Sequence, residues 1–525
     1  MAVLTGCQPD ASPEAKKAFE GVIPKPVSAT LAKGRFEITA KTQVLVPAGS
    51  PVVKAVADQF TALINPATGF NLAAAESAAD DAANVITFST DTALGAEAYV
   101  LTISSDSVKL SGGGPAGLFY GVQTLRQLLP DKIELTSQQP GPWELAAGTI
   151  RDQPTYAWRG SMLDVARHFF GVEVVKRYID LLALYKFNTL HLHLSDDQGW
   201  RIEIKSWPNL ALHGGSTQVG GGAGGYYTQE QYKDLVAYAQ QRFITIVPEI
   251  DMPSHTNAIL ASYGELNGGI TKVPKEGRIE LPDGKESGKG RPTQLYTSTE
   301  VGFSTLQSSM PATTKFAEEM LAELAALTPG PYIHIGGDEA AVTPHEDYIK
   351  LTNQFIEIVR KLGKTSIGWE ETAQADIKGE HRVQYWTRAE FAKMGKDKGA
   401  KLIMSPSKRV YLDMQYDSNT RIGLNWAAYI EVDDAYNWDP ATLEAGITQA
   451  DIVGVEAPLW SETVENLQDI EYLVFPRITA IAEVAWTPAA ARNLDNYKSR
   501  LAQQEGRLKY LNVNYYPSPQ VPWAK

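Results

Sequence analysis

From about residue 156 onward, short apolar runs alternate with longer stretches whose apolar residues recur at helical spacing. That alternation is the pattern of successive βα units. Eight strand candidates follow in order, at 160–164, 189–194, 244–248, 332–335, 365–368, 382–385, 401–404 and 452–456. Helical patterns lie between many of them, for example at 172–184 and 313–327. Eight such repeats in roughly 350 residues predict an α/β fold of the (β/α)8 TIM barrel type with insertions.

The pattern before residue 153 is different. Strand-like runs at 43–46, 84–88 and 98–103 mix with helix-like runs at 52–63 and 114–129. This reads as a small α+β domain, and it carries no catalytic constellation. The expected division is a leader or linker remnant over 1–22, an N-terminal α+β domain over 23–152, and a barrel with a C-terminal helical segment over 153–525. Residues 214–225 are glycine-rich and read as a loop. Residues 275–292 are charged and rich in Gly and Pro, and read as a surface insertion.

Composition narrows the function. Hydrophobic residues make up 43% and charged residues 21%, a globular balance. The net charge of −13 argues against a nucleic-acid partner. No apolar run approaches the ~20 residues of a membrane span. The single cysteine, Cys7, excludes an internal disulfide and a cysteine-based zinc site. Leu4-Thr5-Gly6-Cys7 resembles a bacterial lipoprotein cleavage box with its leader trimmed. It implies a lipid anchor at Cys7 and a secreted, periplasmic or envelope-anchored protein, and a chance match stays equally open. Eleven Trp and 23 Tyr fit either a large core or a pocket with flat apolar walls.

Position decides between those readings. In a TIM barrel the active site lies at the C-terminal strand ends. In strand order those ends carry Arg167 and His168; Ser195, Asp196, Asp197 and Trp200; Glu249, Asp251 and His255; Asp338 and Glu339; Trp369, Glu370 and Glu371; Trp386; Tyr411 and Asp413; Trp460 and Glu462. Singly, each has a plain structural explanation. Trp386 can be core, Asp251 a helix cap, Glu462 a solvated rim residue. All eight ends behaving alike point to a site. Carboxylates and Arg suit hydroxyl groups, and aromatic faces cover sugar rings. No GxxxxGK[ST] is present, and 214–225 lacks the strand-linked GxGxxG context, so a phosphate site is not indicated.

Asp338-Glu339, within His334-Ile-Gly-Gly-Asp-Glu339, is the sharpest local signal. Paired glycosidase carboxylates usually stand across the bond, ~5–5.5 Å apart for retention or ~6.5–9.5 Å for inversion. Sequence neighbours, with Cα atoms ~3.8 Å apart, approach from one side. One can donate a proton, but the nucleophile must come from elsewhere. Attack by a 2-acetamido oxygen of the substrate is one solution. A capped helix start is the plain alternative for the dipeptide. His191 and His193 form an HxH on one strand face, and His255 and His334 lie near other strand ends. They read as satisfied core histidines, because no HExxH is present and both faces of a barrel strand are buried. No metal is expected.

At these residues the chain resembles glycoside hydrolase family 20, the β-N-acetylhexosaminidases, of the bacterial exo-acting type. The carrying motifs are Asp164-Val-Ala-Arg-His-Phe-Phe170, His191-Leu-His-Leu-Ser-Asp-Asp-Gln-Gly-Trp200, Pro248-Glu-Ile-Asp-Met-Pro-Ser-His255, His334 to Glu339, and Ala457-Pro-Leu-Trp-Ser-Glu462. The resemblance implies the fold above, no cofactor, and a carbohydrate substrate with a terminal N-acetylhexosamine. It implies that Glu339 is general acid and then base, with a pKa set near working pH by burial beside another carboxylate. Asp338 would orient the acetamido N–H and Tyr411 would donate to the acetamido oxygen. Trp369, Trp386 and Trp460 would wall the pocket. Arg167, Asp196, Asp413 and Glu462 would hold hydroxyls, and Asp251 and His255 would support Glu339. The insertion at 275–292 would touch on leaving-group preference. A non-catalytic amino-sugar binder is the alternative from another class.

Overall fold

The eight apolar runs become eight parallel strands in the computed structural model: Trp158–Asp164, Thr189–His193, Thr245–Glu249, Tyr332–His334, Thr365–Trp369, Arg382–Tyr385, Lys401–Met404 and Ile452–Leu459. Each pairs in parallel with the next, and the eighth pairs with the first, so the barrel closes. Closure buries nearly every strand residue on both faces, so burial does not alternate along these runs as it does on a half-exposed sheet. The structure describes residues 10–77, 83–269, 288–377 and 380–523. Cys7 and most of the 275–292 insertion lie outside the described residues.

The barrel interior is built in steps. Trp158, Val247, Ile367 and Ile403 form one apolar cluster, one residue each from strands one, three, five and seven. Four residues from alternate strands are the usual filling of such a barrel. The even strands contribute a polar set instead: His191, His334, Gln384 and Glu456. His191 stacks on His334 with ring centroids 4.5 Å apart. Glu456 accepts from Gln384 Nε2 at 2.9 Å and from Trp158 Nε1 at 2.9 Å, and lies 2.8 Å from His191 Nδ1.

The chain divides into two units. One is the barrel, 156–183 with 187–474; the other gathers 1–155, 184–186 and 475–525. The second unit holds a seven-stranded mixed sheet. Its order is Ser28–Ile38, Trp143–Asp152, Tyr99–Ile103, Ser107–Gly112, Val85–Thr90, Gln43–Val46 and Ala74–Glu76. Helices Pro51–Thr68 and Pro115–Leu128 match the two helical patterns of this region.

Two features of this unit differ from expectation. Part of the expected leader or linker remnant is a helix, Pro13–Glu20, started by Ser12, whose side chain accepts the Ala15 N–H, and burying Ala15 and Phe19. The C-terminal helices, expected with the barrel, group with the N-terminal residues. Polar groups far apart in sequence explain why. Arg500 pairs with Glu483 at 2.6 Å and donates to the Val22 carbonyl at 2.9 Å, and Trp486 Nε1 donates to Asp152 at 2.9 Å.

Candidate active site

Glu249, at the end of the third strand, is the hub beneath the strand ends. Its carboxylate meets His191 Nε2 at 2.9 Å, His193 Nδ1, His334 Nδ1 at 2.9 Å and Trp369 Nε1 at 2.9 Å. Burial pushes the Glu249 carboxyl up, and the imidazoles of His334, His193 and His191 outweigh it and hold it well below the usual range. Burial pushes His191 down, and Glu249 and Glu456 raise it to about 9. Several groups here, such as His191, Glu249 and His334, bring donor atoms within 4.8 Å of one another. The ring nitrogens of His191 and His193 are already bonded to carboxylates.

A relay leads outward. His193 Nε2 lies 2.8 Å from Asp196 Oδ2, which also takes the Arg167 guanidinium at 2.8 Å. Asp196 Oδ1 lies 3.1 Å from His255 Nδ1. The other ring nitrogen of His255 lies 3.4 Å from Glu339 Oε2 and 3.7 Å from Asp338 Oδ2. Asp196 is thus fully buried behind the pocket, not on its wall, and the expected hydroxyl contact is replaced by these three partners. The burial of the residue raises its carboxyl, but Arg167 and His255 hold it far below the ordinary range.

Above the relay opens a pocket of about 280 Å³. Nine of the expected residues line it: Arg167, Asp338, Glu339, Trp369, Trp386, Tyr411, Asp413, Trp460 and Glu462. Trp369 and Trp460 lie 5.8 Å apart, ring to ring, and Tyr411 lies 6.4 Å from Trp460. The Arg167 guanidinium stands 4.9 Å above Trp460. Trp386 is clamped from behind. Its backbone N–H donates to Glu370 at 2.7 Å and its indole to Glu371 at 3.2 Å. Burial and the adjacent Glu371 raise Glu370 to about 8, and burial with Asp338 raises Glu371 to about 7.

An unusual backbone sets the two adjacent carboxyls. Gly336 and Gly337 adopt φ of 68° and 103°, and Glu339 itself adopts 48°. A Cβ at 336 would stand 1.8 Å from Asp251 Oδ1, so only glycine fits. A non-glycine residue held at positive φ marks stored strain of the kind found at working sites. The turn leaves Asp338 nearly buried and the Glu339 side chain 38% exposed. Several buried polar atoms here meet no hydrogen-bond partner among the described residues: Arg167 Nε, Asp338 Oδ1 and Glu462 Oε2. A ligand rich in donors and acceptors would complete them.

Known proteins are similar in sequence and fold. Residues 156–489 match the model of "Glycosyl hydrolase family 20, catalytic domain" and residues 20–153 that of "Glycosyl hydrolase family 20, domain 2". The chain belongs to glycosyl hydrolase family 20. It is 39% identical to a β-N-acetylhexosaminidase of Cellulomonas fimi over 96% of this chain and 97% of that one. It is similar to the solved family 20 β-N-acetylhexosaminidase of Streptomyces coelicolor, with a TM-score of 0.89 and 46% identity over 96% of this chain and 99% of that one. A mutant Streptomyces plicatus β-hexosaminidase in complex with product GlcNAc matches with a TM-score of 0.88 and 46% identity, over 96% and 98%. As a member of this family the chain is a glycoside hydrolase on a TIM barrel, as the resemblance implied.

Two features of this family 20 site were not legible beforehand. Trp426, with Thr299, Val301 and Leu424, also lines the pocket. Trp426 lies 6.0 Å from both Trp386 and Tyr411, nearly edge-on to each, and is 55% exposed at the mouth. It stands 15 residues past Tyr411 in a long connection, so a search confined to strand ends passes it by. The second feature is the state of Glu339. Burial raises its carboxyl, but the hydrogen bond and charge of His255 lower it more, so the net shift is downward. Burial beside Asp338 therefore does not by itself set this group near working pH.

Proposed function

We propose that this protein is an exo-acting, retaining β-N-acetylhexosaminidase that removes terminal non-reducing GlcNAc, and also GalNAc, from oligosaccharides or glycoconjugates. The observation that carries the reading is the placement of Asp338: a buried acceptor oxygen without a donor, beside a box of Trp369, Trp386, Tyr411 and Trp460. An acetamido group fits that chemistry. Its N–H supplies the donor to Asp338, its carbonyl oxygen accepts from Tyr411, and its methyl meets the indoles. The carbonyl oxygen then attacks C1 as Glu339 protonates the departing oxygen. The cyclic oxazolinium-type intermediate is positive, and Asp338 stabilises it more than the ground state. Glu339 next takes a proton from water, which opens the ring at C1 with net retention. His255 holds its proton above the usual range 3.4 Å from Glu339, so it stands as a positive neighbour that positions the carboxyl which water reprotonates in each turnover. Arg167, Asp413 and Glu462 hold the ring hydroxyls. Asp251 and His255 position the acidic pair. The Leu4–Cys7 box supports an envelope location with a lipid on Cys7, which mass analysis of the membrane fraction would test.

The deciding experiment compares aryl glycosides bearing a 2-acetamido group or a plain 2-hydroxyl near pH 6, with and without chelator. Fast release from the acetamido sugar alone, unaffected by chelator, is expected. Comparable rates on both would make a protein carboxylate the nucleophile. Release from neither would favour a sugar-binding role, and chelator sensitivity a metal.

A further inference from the structure

Asp251 and Asp338 come from the ends of neighbouring strands and meet under the pocket floor. Asp251 has no exposed surface. Its Oδ1 accepts the Gly337 N–H at 2.9 Å, and the close pass of Gly336 presses the carboxyl into place. Its Oδ2 meets no donor among the described residues, and neither does Asp338 Oδ1. One oxygen from each and a ring nitrogen of His255 lie within 4.8 Å of one another. The groups facing Asp251 are His193 and Asp196 from the second strand's end, Glu249 and His255 from its own segment, and Asp338. The imidazoles stand closer to other carboxylates. His193 bonds Glu249 and Asp196, and His255 bonds Asp196 through Nδ1 while its Nε2 lies 3.4 Å from Glu339 and 3.7 Å from Asp338. A further full charge at Asp251 would have no donor but one backbone N–H. A buried carboxyl so placed neutralises rather than ionises, and two adjacent carboxyls keep one proton between them.

We propose that Asp251 works as a neutral carboxylic acid whose Oδ2–H donates to Asp338, keeping Asp338 ionised and aimed at the acetamido group. Asp251 is then a positioning residue that acts through Asp338, not only through Glu339. Burial and the Asp338 charge both push Asp251 well above the ordinary carboxyl range, in keeping with this geometry. The two groups titrate as a pair. Loss of the first proton switches Asp338 on. Loss of the second leaves two like charges in contact and ends the active range on the alkaline side. The inference rests on the role given to Asp338 above.

The test uses the full chain with Asp251→Asn and Asp251→Ala, assayed on an aryl N-acetylglucosaminide across pH, with folding followed by circular dichroism. An Asn side chain reproduces the neutral acid: its NH2 donates to Asp338 and its carbonyl accepts from Gly337. Asp251→Ala is expected to lower kcat by about 10–100-fold, the usual cost of a supporting group. Asp251→Asn should be at least ten times milder, with KM little changed and the alkaline limb moved upward. Infrared difference spectra of protein with 13C-labelled aspartate near pH 6 should show the carbonyl stretch of a neutral carboxylic acid that Asp251→Asn removes. Absence of that band in the unmutated protein overturns the proposal, whether or not the variants fold. So does a folded Asp251→Asn enzyme as damaged as Asp251→Ala. An Asp338→Asn enzyme with unchanged kcat would instead overturn the role of Asp338 itself, and the infrared band would still be seen.

Discussion

The polar layer inside the barrel and the pocket at its strand ends use the same residue types. They differ in how their polar atoms are spent. In the layer, both ring nitrogens of His191 are bonded, and Glu249 and Glu456 each serve several donors. His334 Nε2 and Gln384 Oε1 are its leftovers. Around the pocket, Arg167 Nε, Asp338 Oδ1 and Glu462 Oε2 all lack a hydrogen-bond partner among the described residues. A nearly saturated network holds the barrel in shape; a less saturated one keeps its interactions for a ligand. Residue type alone does not separate the two. Completeness of hydrogen bonding does.

Substitutions can break that contrast. Glu339→Gln removes the proton donor, so hydrolysis of glycosides with poor leaving groups should fall by about 10²–10⁴, with a smaller loss for activated phenols. Equal losses on both substrate classes would remove Glu339 from the acid role. Asp338→Asn should lower kcat by about 10²–10³ with less effect on KM. The same change should stabilise the empty protein near neutral pH. Burial holds the Asp338 pKa above its ordinary value, so the folded state favours the protonated form. That favourable contribution is present in acid and is lost as pH rises through the raised pKa. The gain in Tm on mutation should therefore vanish in acid, below the ordinary carboxyl range of about 4. Glu249→Gln in the saturated layer should do the reverse, destabilising by about 3–5 kcal/mol in urea melts. The smallest effect concerns pH. The acid limb of kcat/KM should lie above the ordinary aspartate value of about 4, because Asp338 must ionise to act, and Asp338→Asn should abolish that limb.

All eight barrel strands were legible because short runs centred on apolar residues recur between helical patterns, even where a His, Gln or Glu of the polar layer interrupts them. The sheet of the other unit was harder. Ser28–Ile38 carries a register shift between Leu31 and Arg35 that disrupts its alternation. Trp143–Asp152 lies between two strands and is buried nearly throughout, so it does not alternate either. At the site, the chemistry of the strand ends could be read but not their depth. Asp196 and Asp413 look alike in sequence; one lies behind Arg167 and the other lines the pocket. Depth depends on where each loop turns, and the relay from His193 to His255 joins groups from two loops. The downward shift of Glu339 is a consequence of that same relay.

The turn at Gly336 also limits how this enzyme can change. A single added methyl group would strike Asp251, and the glycine next to it uses its own left-handed geometry to donate to the same carboxyl. Random mutation at these two positions therefore finds almost no viable neighbours. The mouth is permissive by contrast, because Trp426 and Tyr429 are about half exposed on their connection. Directed evolution toward new leaving groups should accumulate its changes there, leaving the acid pair untouched.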